Sequence, residues 1–294
     1  VTESIFIKQK IDLDYQNSIE NACLLHDIGH SAFGHQGAEI LNDYFNEITG
    51  EGFEDNNNNF MIMKKYKLLS KMNNYLIASL IKYPKEIKLI EDKKVVKKLQ
   101  KNLKEALKED KEEFKKYNVN YSYEKTMANQ VMDEADRNSY ITHDLSDLYT
   151  IGWGESTSLK ALLKYKKYKK IISKLMKSID NKEKTKIRNI FNELNILFNS
   201  NYKVNKTTGK LEYIDEKLFD LREEMYLIEL KEYIYSTIVT TQRMNLKDDF
   251  ILYIKYVIDN EYYPSKYYSK RIKKSKTKKE KLKNIKYMIA EQTD

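Results

Sequence analysis

Residues 94–114 read KVVKKLQKNLKEALKEDKEEF, and this stretch decides the fold. Val95, Leu99, Leu103 and Leu107 recur every fourth residue through an otherwise charged run, the spacing of one narrow apolar stripe on an α-helix. Working outward, similar spacing predicts helices over 17–26, 36–48, 60–82, 124–149, 158–176, 216–241, 246–259 and 278–292, with Pro84 closing the third of these. Breakers are scarce. The 294 residues hold 8 Gly and 2 Pro, and most of the glycines crowd between Gly29 and Gly52. A sheet protein needs Gly and Pro turns at short intervals, so the chain is expected to be all-α. The one exception is 202–214, which alternates around Thr207-Thr208-Gly209 and predicts a small β-hairpin.

The composition, 41% hydrophobic and 33% charged, is that of a globular protein able to bury a core. No internal repeat or clean linker interrupts it, so a single domain over 1–294 is the simplest organisation. The lone Cys23 excludes an intramolecular disulfide and points to a reducing compartment. No window approaches the roughly eighteen apolar residues of a membrane span, and the N-terminus lacks the basic start and apolar stretch of a signal peptide. The reading is a cytoplasmic protein with no membrane contact. The net charge of +9 is concentrated in Lys266–Lys286, where eleven basic residues face one acid, Glu280. Such a segment is either a solvated, partly disordered surface or a contact for a polyanion, single-stranded nucleic acid or nucleotide phosphates. The abundance of Tyr, Asn and Lys elsewhere reflects an AT-rich coding bias.

Two clusters carry candidate chemistry. The first is HDIGHSAFGH, residues 26–35. His26 and Asp27 place an imidazole and a carboxylate at one helix end, both good ligands for a first-row divalent metal. His30 and His35 follow among glycines that permit a tight turn around a ligand. Histidines at helix ends also serve as caps, but three of them with an Asp and two glycines in ten residues point to a site. The second cluster is MDEADRNSYITHDLSD, residues 132–147. Asp136, Tyr140 and Asp144 are four residues apart and stack on one helix face, extended by Asp147. Alone it reads as an exposed acidic face. Beside a metal cluster short of ligands, it is a candidate for a further carboxylate and a substrate wall.

The stretch ACLLHDIGHSAFGHQGAE, residues 22–39, closely resembles the HD-domain signature of deoxyguanosine triphosphate triphosphohydrolases. Four more stretches match in the family's order: GFEDN at 52–56, LIASLIKYP at 76–84, ADRNSYITHDLSD at 135–147 and YMIAEQTD at 287–294. The resemblance implies an all-α HD-domain fold and a homo-oligomer. It implies one divalent ion, Mn, Mg, Ni or Fe, on His26, Asp27 and Asp136. It implies His35 as the catalytic histidine beside the α-phosphate, with His30 near the phosphates. Tyr140 and Asp144 would lie against the deoxyribose, Lys82 and Tyr83 would reach the triphosphate, Asn56 would contact substrate, and Arg137 suits phosphate binding. The family's acid, three residues past its last motif histidine, is Ala38 here. Glu39, four residues past His35 and a near neighbour on a helix, is the candidate to orient it.

The implied reaction is hydrolysis of a deoxynucleoside triphosphate, dGTP foremost, to deoxynucleoside and triphosphate. Two other readings are another HD phosphohydrolase and a catalytically silent subunit that binds nucleotides or nucleic acid. The family's fourth metal ligand, a His in an upstream His-Ser-Leu-Glu segment, has no counterpart before His26. The sequence starts near where that segment would continue and stops partway through the C-terminal motif. Truncation at both ends is therefore expected, with weak activity or none in the chain as it stands.

Overall fold

A computed structural model describes residues 13–81, 93–234 and 236–292. In chain order its elements are α1 (Leu13–Leu25), α2 (Gly34–Thr49), α3 (Asp55–Lys65), α4 (Asn74–Ser79), α5 (Lys93–Lys115), α6 (Met127–Ile151), α7 (Lys169–Asp180), α8 (Lys184–Asn199), β1 (Tyr202–Val204), β2 (Leu211–Tyr213), α9 (Glu216–Glu229), α10 (Thr237–Asp259), α11 (Lys266–Lys273) and α12 (Lys278–Ala290). Among the described residues the fold is all-α with one two-stranded antiparallel hairpin, as the sequence predicts. No helix among the described residues is long and apolar enough to cross a membrane.

Contacts gather the chain into two units, one from residues 13–23, 74–81 and 94–239, the other from 24–73 and 240–292. The first is organised around α6. Thr126 caps its start by accepting the Asn129 N–H at 3.1 Å, and Gly152, at φ 83, ends it in the left-handed conformation that glycine adopts without strain. Ile141, Leu145 and Leu148 form its buried stripe, packed with Ile187, Ile190, Phe191 and Leu194 of α8 in one core. Each such side chain contributes about 1.5–3 kcal/mol on burial.

Two buried polar networks brace α6. At its start, Asp110 of α5 is fully buried and accepts hydrogen bonds from the Tyr15 hydroxyl, from Tyr75 at 2.7 Å and from the Met127 N–H at 2.9 Å. Burial outweighs these donors and pushes Asp110 up to about 6. Further along, the buried Arg222 of α9 donates to Glu134 at 2.7 Å, Asn138 at 2.9 Å, Tyr202 at 2.9 Å, Tyr213 at 3.0 Å and Glu223 at 2.9 Å. Its planar fork ties α6 to α9 and to the hairpin. Tyr202 pairs with Tyr213 across the hairpin, and Gly209 at φ 75 makes its turn.

In the second unit, Ile40, Leu41 and Phe45 of α2 pack with Phe53, with Phe250, Ile254 and Val257 of α10, and with residues of α11 and α12. The basic segment is helical rather than disordered. Tyr268, Ile272, Leu282 and Ile285 sit in this core, and that burial folds a run whose composition alone suggests disorder. Lys286 is itself buried and donates to the carbonyls of Glu51 at 3.2 Å and Gly52 at 2.6 Å, with burial pulling its ammonium down to about 8. Lys266, Lys270, Lys273, Lys274, Lys276 and Lys278 stay exposed.

Three predicted helices are divided. The run predicted over 60–82 breaks at Lys67, which takes a left-handed φ of 58, and continues as a short 3-10 turn and α4. Residues 156–164 form 3-10 turns before α7. The run predicted over 216–241 passes through a π-helical segment, Leu230–Ile234, after α9.

Candidate active site

In the second unit the chain leaves α1 at Leu25 and turns through His26–Gly29. The turn is held from outside by α3. The Asn59 side-chain oxygen accepts the Gly29 N–H at 2.5 Å, its amide donates to the His26 carbonyl, and the Asn58 amide donates to the Gly29 carbonyl at 2.8 Å. α3 comes so close that a Cβ on Gly29 would sit 2.3 Å from the Asn59 backbone nitrogen, which explains the glycine. Phe33, at φ 64, and Gly34, at φ 56, then reverse the chain into α2.

These constraints line up five side chains. His26 Nε2 lies 2.9 Å from Asp27 Oδ2, and Asp27 Oδ1 lies 3.0 Å from His30 Nε2. His30 Nδ1 is 3.1 Å from Asp55 Oδ2, and the same oxygen is 3.6 Å from His35 Nδ1. The His30 and His35 rings meet edge to face, 4.7 Å between centroids. Exposure differs sharply along the row, with His26 largely buried at 14% and His35 open to solvent at 85%.

Electrostatics follow from the pairing. Hydrogen bonds to Asp27 and then Asp55 raise His30 to about 9, so it is a cation at neutral pH. Burial favours the neutral form of Asp27, yet the hydrogen bonds from His26 and His30 outweigh it and hold this carboxyl well below the usual range. Asp55 is lowered in the same way, its burial outweighed by His30 and His35. The other carboxylate oxygen of Asp55 is buried and has no hydrogen-bond partner among the described residues. A buried anionic oxygen left over is one that a cation or a protonated ligand would satisfy. His30, His35 and Asp55 can each offer a ligand atom, all within 4.8 Å of one another, a nitrogen-and-oxygen donor set that suits a first-row divalent ion once His30 gives up its proton.

The structure thus brings together His26, Asp27, His30 and His35, and adds Asp55, which sequence reasoning passed over within GFEDN. Asn58 and Asn59 were also missed, because a run of four asparagines reads as coding bias. Glu39 lies exposed on α2 with no hydrogen bond or ion pair among the described residues, and the acid facing His35 is Asp55. Lys82 and Tyr83 lie outside the described residues, as does the side chain of Asn56.

In the first unit, Asp136, Arg137, Tyr140 and Asp144 all lie on the unbroken α6. Tyr140 is 39% exposed. Arg137 pairs with Glu223 at 2.7 Å and lies 5.1 Å from the Tyr226 ring centre. Asp144 faces Glu229, which is fully buried. Burial, then the Asp144 charge, push Glu229 up to about 8, and burial raises Asp144 as well.

The chain matches no model of a known protein family. Over 77 residues it is 40% identical to a deoxyguanosinetriphosphate triphosphohydrolase-like protein of Shewanella oneidensis. That match spans 24% of this chain and 17% of the Shewanella protein. The similarity is partial, and it is to a protein named for triphosphate hydrolysis.

Proposed function

We propose that the chain is a metal-dependent phosphohydrolase that cleaves a deoxynucleoside triphosphate, dGTP foremost, at the α-phosphorus to give deoxynucleoside and triphosphate. The observation that carries this reading is the row from His26 to His35, in which two carboxylates hold three imidazoles of graded exposure. His35, the most open, is the general acid for the leaving 5′-oxygen or the group that positions water, and Asp55 behind it fixes the ring. His30, a cation at neutral pH, offsets phosphate charge. Glu39, the nearer acid in sequence, has no hydrogen bond or ion pair among the described residues, so we assign the orienting role to Asp55. His26 and Asp27, with Asp136 on the strength of the sequence resemblance, would hold one divalent ion, Mn, Mg, Ni or Fe. When bound, that ion stabilises charge developing on the phosphoryl oxygens.

On α6, Tyr140 fills the space a ribose 2′-hydroxyl would need and Asp144 accepts the 3′-hydroxyl. Arg137, Lys82 and Tyr83 take the triphosphate and Asn56 contacts substrate, with Arg137 exchanging Glu223 for phosphate. The exposed cations of 266–286 are the proposed contact for single-stranded nucleic acid.

The test is product analysis with each dNTP and added manganese, run on the parent and on Asp136→Asn and His35→Gln. Triphosphate and deoxynucleoside are expected from the parent, with both variants severely impaired. Pyrophosphate or monophosphate would reassign the chain to another HD phosphohydrolase. Nucleotide binding without turnover would make it a silent subunit.

A further inference from the structure

Of the five side chains in the row, three make a donor set that the ion assigned to His26, Asp27 and Asp136 leaves unused. His30 comes from the turn, His35 from the second position of α2 and Asp55 from the first position of α3. Their ligand atoms lie within 4.8 Å of one another. Asp55 Oδ2 is central, 3.1 Å from His30 Nδ1 and 3.6 Å from His35 Nδ1. Zinc held tetrahedrally at about 2.0–2.2 Å puts neighbouring donors about 3.4 Å apart, a spacing that falls between these two distances. Two edges of a tetrahedral face are therefore nearly in place.

His30 is also prepared on its far side. Its Nε2 lies 3.0 Å from Asp27 Oδ1, so the N–H there donates to a carboxylate while Nδ1 points at Asp55. A carboxylate behind a liganding imidazole fixes the ring and makes the nitrogen on the metal more basic, the usual arrangement at protein-bound ions. Access comes past His35, whose side chain is 85% exposed, so a fourth position is open to water. Chemistry separates this set from the other one. His26, Asp27 and Asp136 offer one imidazole and two carboxylates, a set that accepts manganese or magnesium. His30, His35 and Asp55 offer two imidazoles and one carboxylate, which late first-row ions prefer.

We propose that His30, His35 and Asp55 bind a second ion, zinc or a neighbouring late first-row metal, which withholds His35 from catalysis. The ion takes the place of the proton between His30 Nδ1 and Asp55 Oδ2, and that proton leaves to solvent. With His35 and Asp55 both liganded, neither the acid nor the group that fixes it serves the phosphate. The binding claim stands by itself, and only the regulatory role rests on the hydrolase reading.

Calorimetric titration of the chelator-treated whole chain with zinc tests it, together with the visible spectrum of the cobalt-loaded protein. The chain holds four histidines and one cysteine, so few rival sites compete. Asp136→Asn leaves the three donors intact and is expected to retain one tightly bound zinc. Adding His35→Gln should weaken that zinc about 100-fold or more, since losing even an outer partner costs about 10–100-fold. His35 is exposed and can be replaced without disturbing the core, so this loss does not report unfolding. Cobalt in Asp136→Asn should give the intense visible bands of a four-coordinate ion, and zinc should shield His35 from carbethoxylation by diethyl pyrocarbonate, read by mass spectrometry. No zinc binding by Asp136→Asn, equal affinity after His35→Gln, the weak spectrum of hydrated cobalt, or undiminished carbethoxylation with zinc bound each overturns the proposal. Zinc is also expected to stop manganese-supported turnover, and turnover unaffected by bound zinc overturns the regulatory role. A parent that turns over no dNTP defeats the hydrolase reading instead, and the zinc and cobalt measurements still decide the site.

Discussion

Asp110 sets how the first unit responds to pH, and the effect has a definite sign. An unfolded aspartate titrates near 3.9, whereas burial pushes Asp110 up to about 6. Between these values the native state binds more protons than the unfolded one, so this group makes stability fall as pH rises. A shift of about two units at 1.36 kcal/mol each gives a loss of roughly 3 kcal/mol, complete by pH 7 and absent below pH 4. Asp110→Asn removes the titration. Its carbonyl still accepts from Tyr15 and Tyr75, but its amide meets the Met127 N–H donor to donor, at a pH-independent cost of about 1–3 kcal/mol. The variant is therefore expected to be less stable than the parent at pH 4, and to recover about 3 kcal/mol relative to it by pH 7. Urea unfolding at pH 4, 5, 6 and 7 measures this, followed by fluorescence of Trp153, the chain's one tryptophan, which lies in the same unit. A difference that stays constant with pH, or grows in the parent's favour as pH rises, would refute the reasoning.

Three further outcomes are expected. Asp55→Asn should lower kcat by about 10- to 100-fold, the scale typical of losing a group that orients a site histidine, and in chelator-treated protein NMR should find the His30 midpoint moved down from about 9 toward neutrality. Gly29→Ala forces a methyl against the Asn59 backbone and should cost at least about 1–3 kcal/mol, read as a lower Tm together with lost activity. Arg222→Met leaves Glu134 and the two tyrosine hydroxyls without their shared donor and should destabilise the first unit by roughly 3 kcal/mol in denaturant titration; Arg222→Lys should not restore it, since an ammonium cannot span five acceptors.

Where apolar spacing had a tertiary partner, the sequence was legible. The run 94–114 is α5 to within a residue at each end, though its buried face is Leu99, Asn102, Ala106, Asp110 and Phe114, with Val95, Leu103 and Leu107 of the predicted stripe only half-buried. The run 124–149 is α6, started by a threonine cap and stopped by a glycine. The hairpin predicted from alternation around Thr207-Thr208-Gly209 is present, with Tyr202 opposite Tyr213. Spacing misled where the apolar residues were not core. Tyr66, counted toward one long helix over 60–82, is 59% exposed, and nothing there holds the helix through the left-handed turn at Lys67. In the basic segment the opposite occurred, because lysines hid the buried Tyr268, Ile272, Leu282 and Ile285. At the candidate site, the histidines declared themselves by type and spacing. Asp55 did not, because its role depends on a contact with His30, 25 residues earlier in the chain, which no local pattern encodes.

The grip of Asn58 and Asn59 on the turn at Gly29 makes the histidine motif a dependent structure. A peptide covering residues 20–40 would carry every imidazole of the row and still lack its geometry, since the hydrogen bonds shaping His26–Gly29 arrive from another helix. Grafting ten residues onto a foreign scaffold would therefore move the letters without the site. The smallest portable piece is the motif together with α3, and during folding the row can assemble only after that helix has docked.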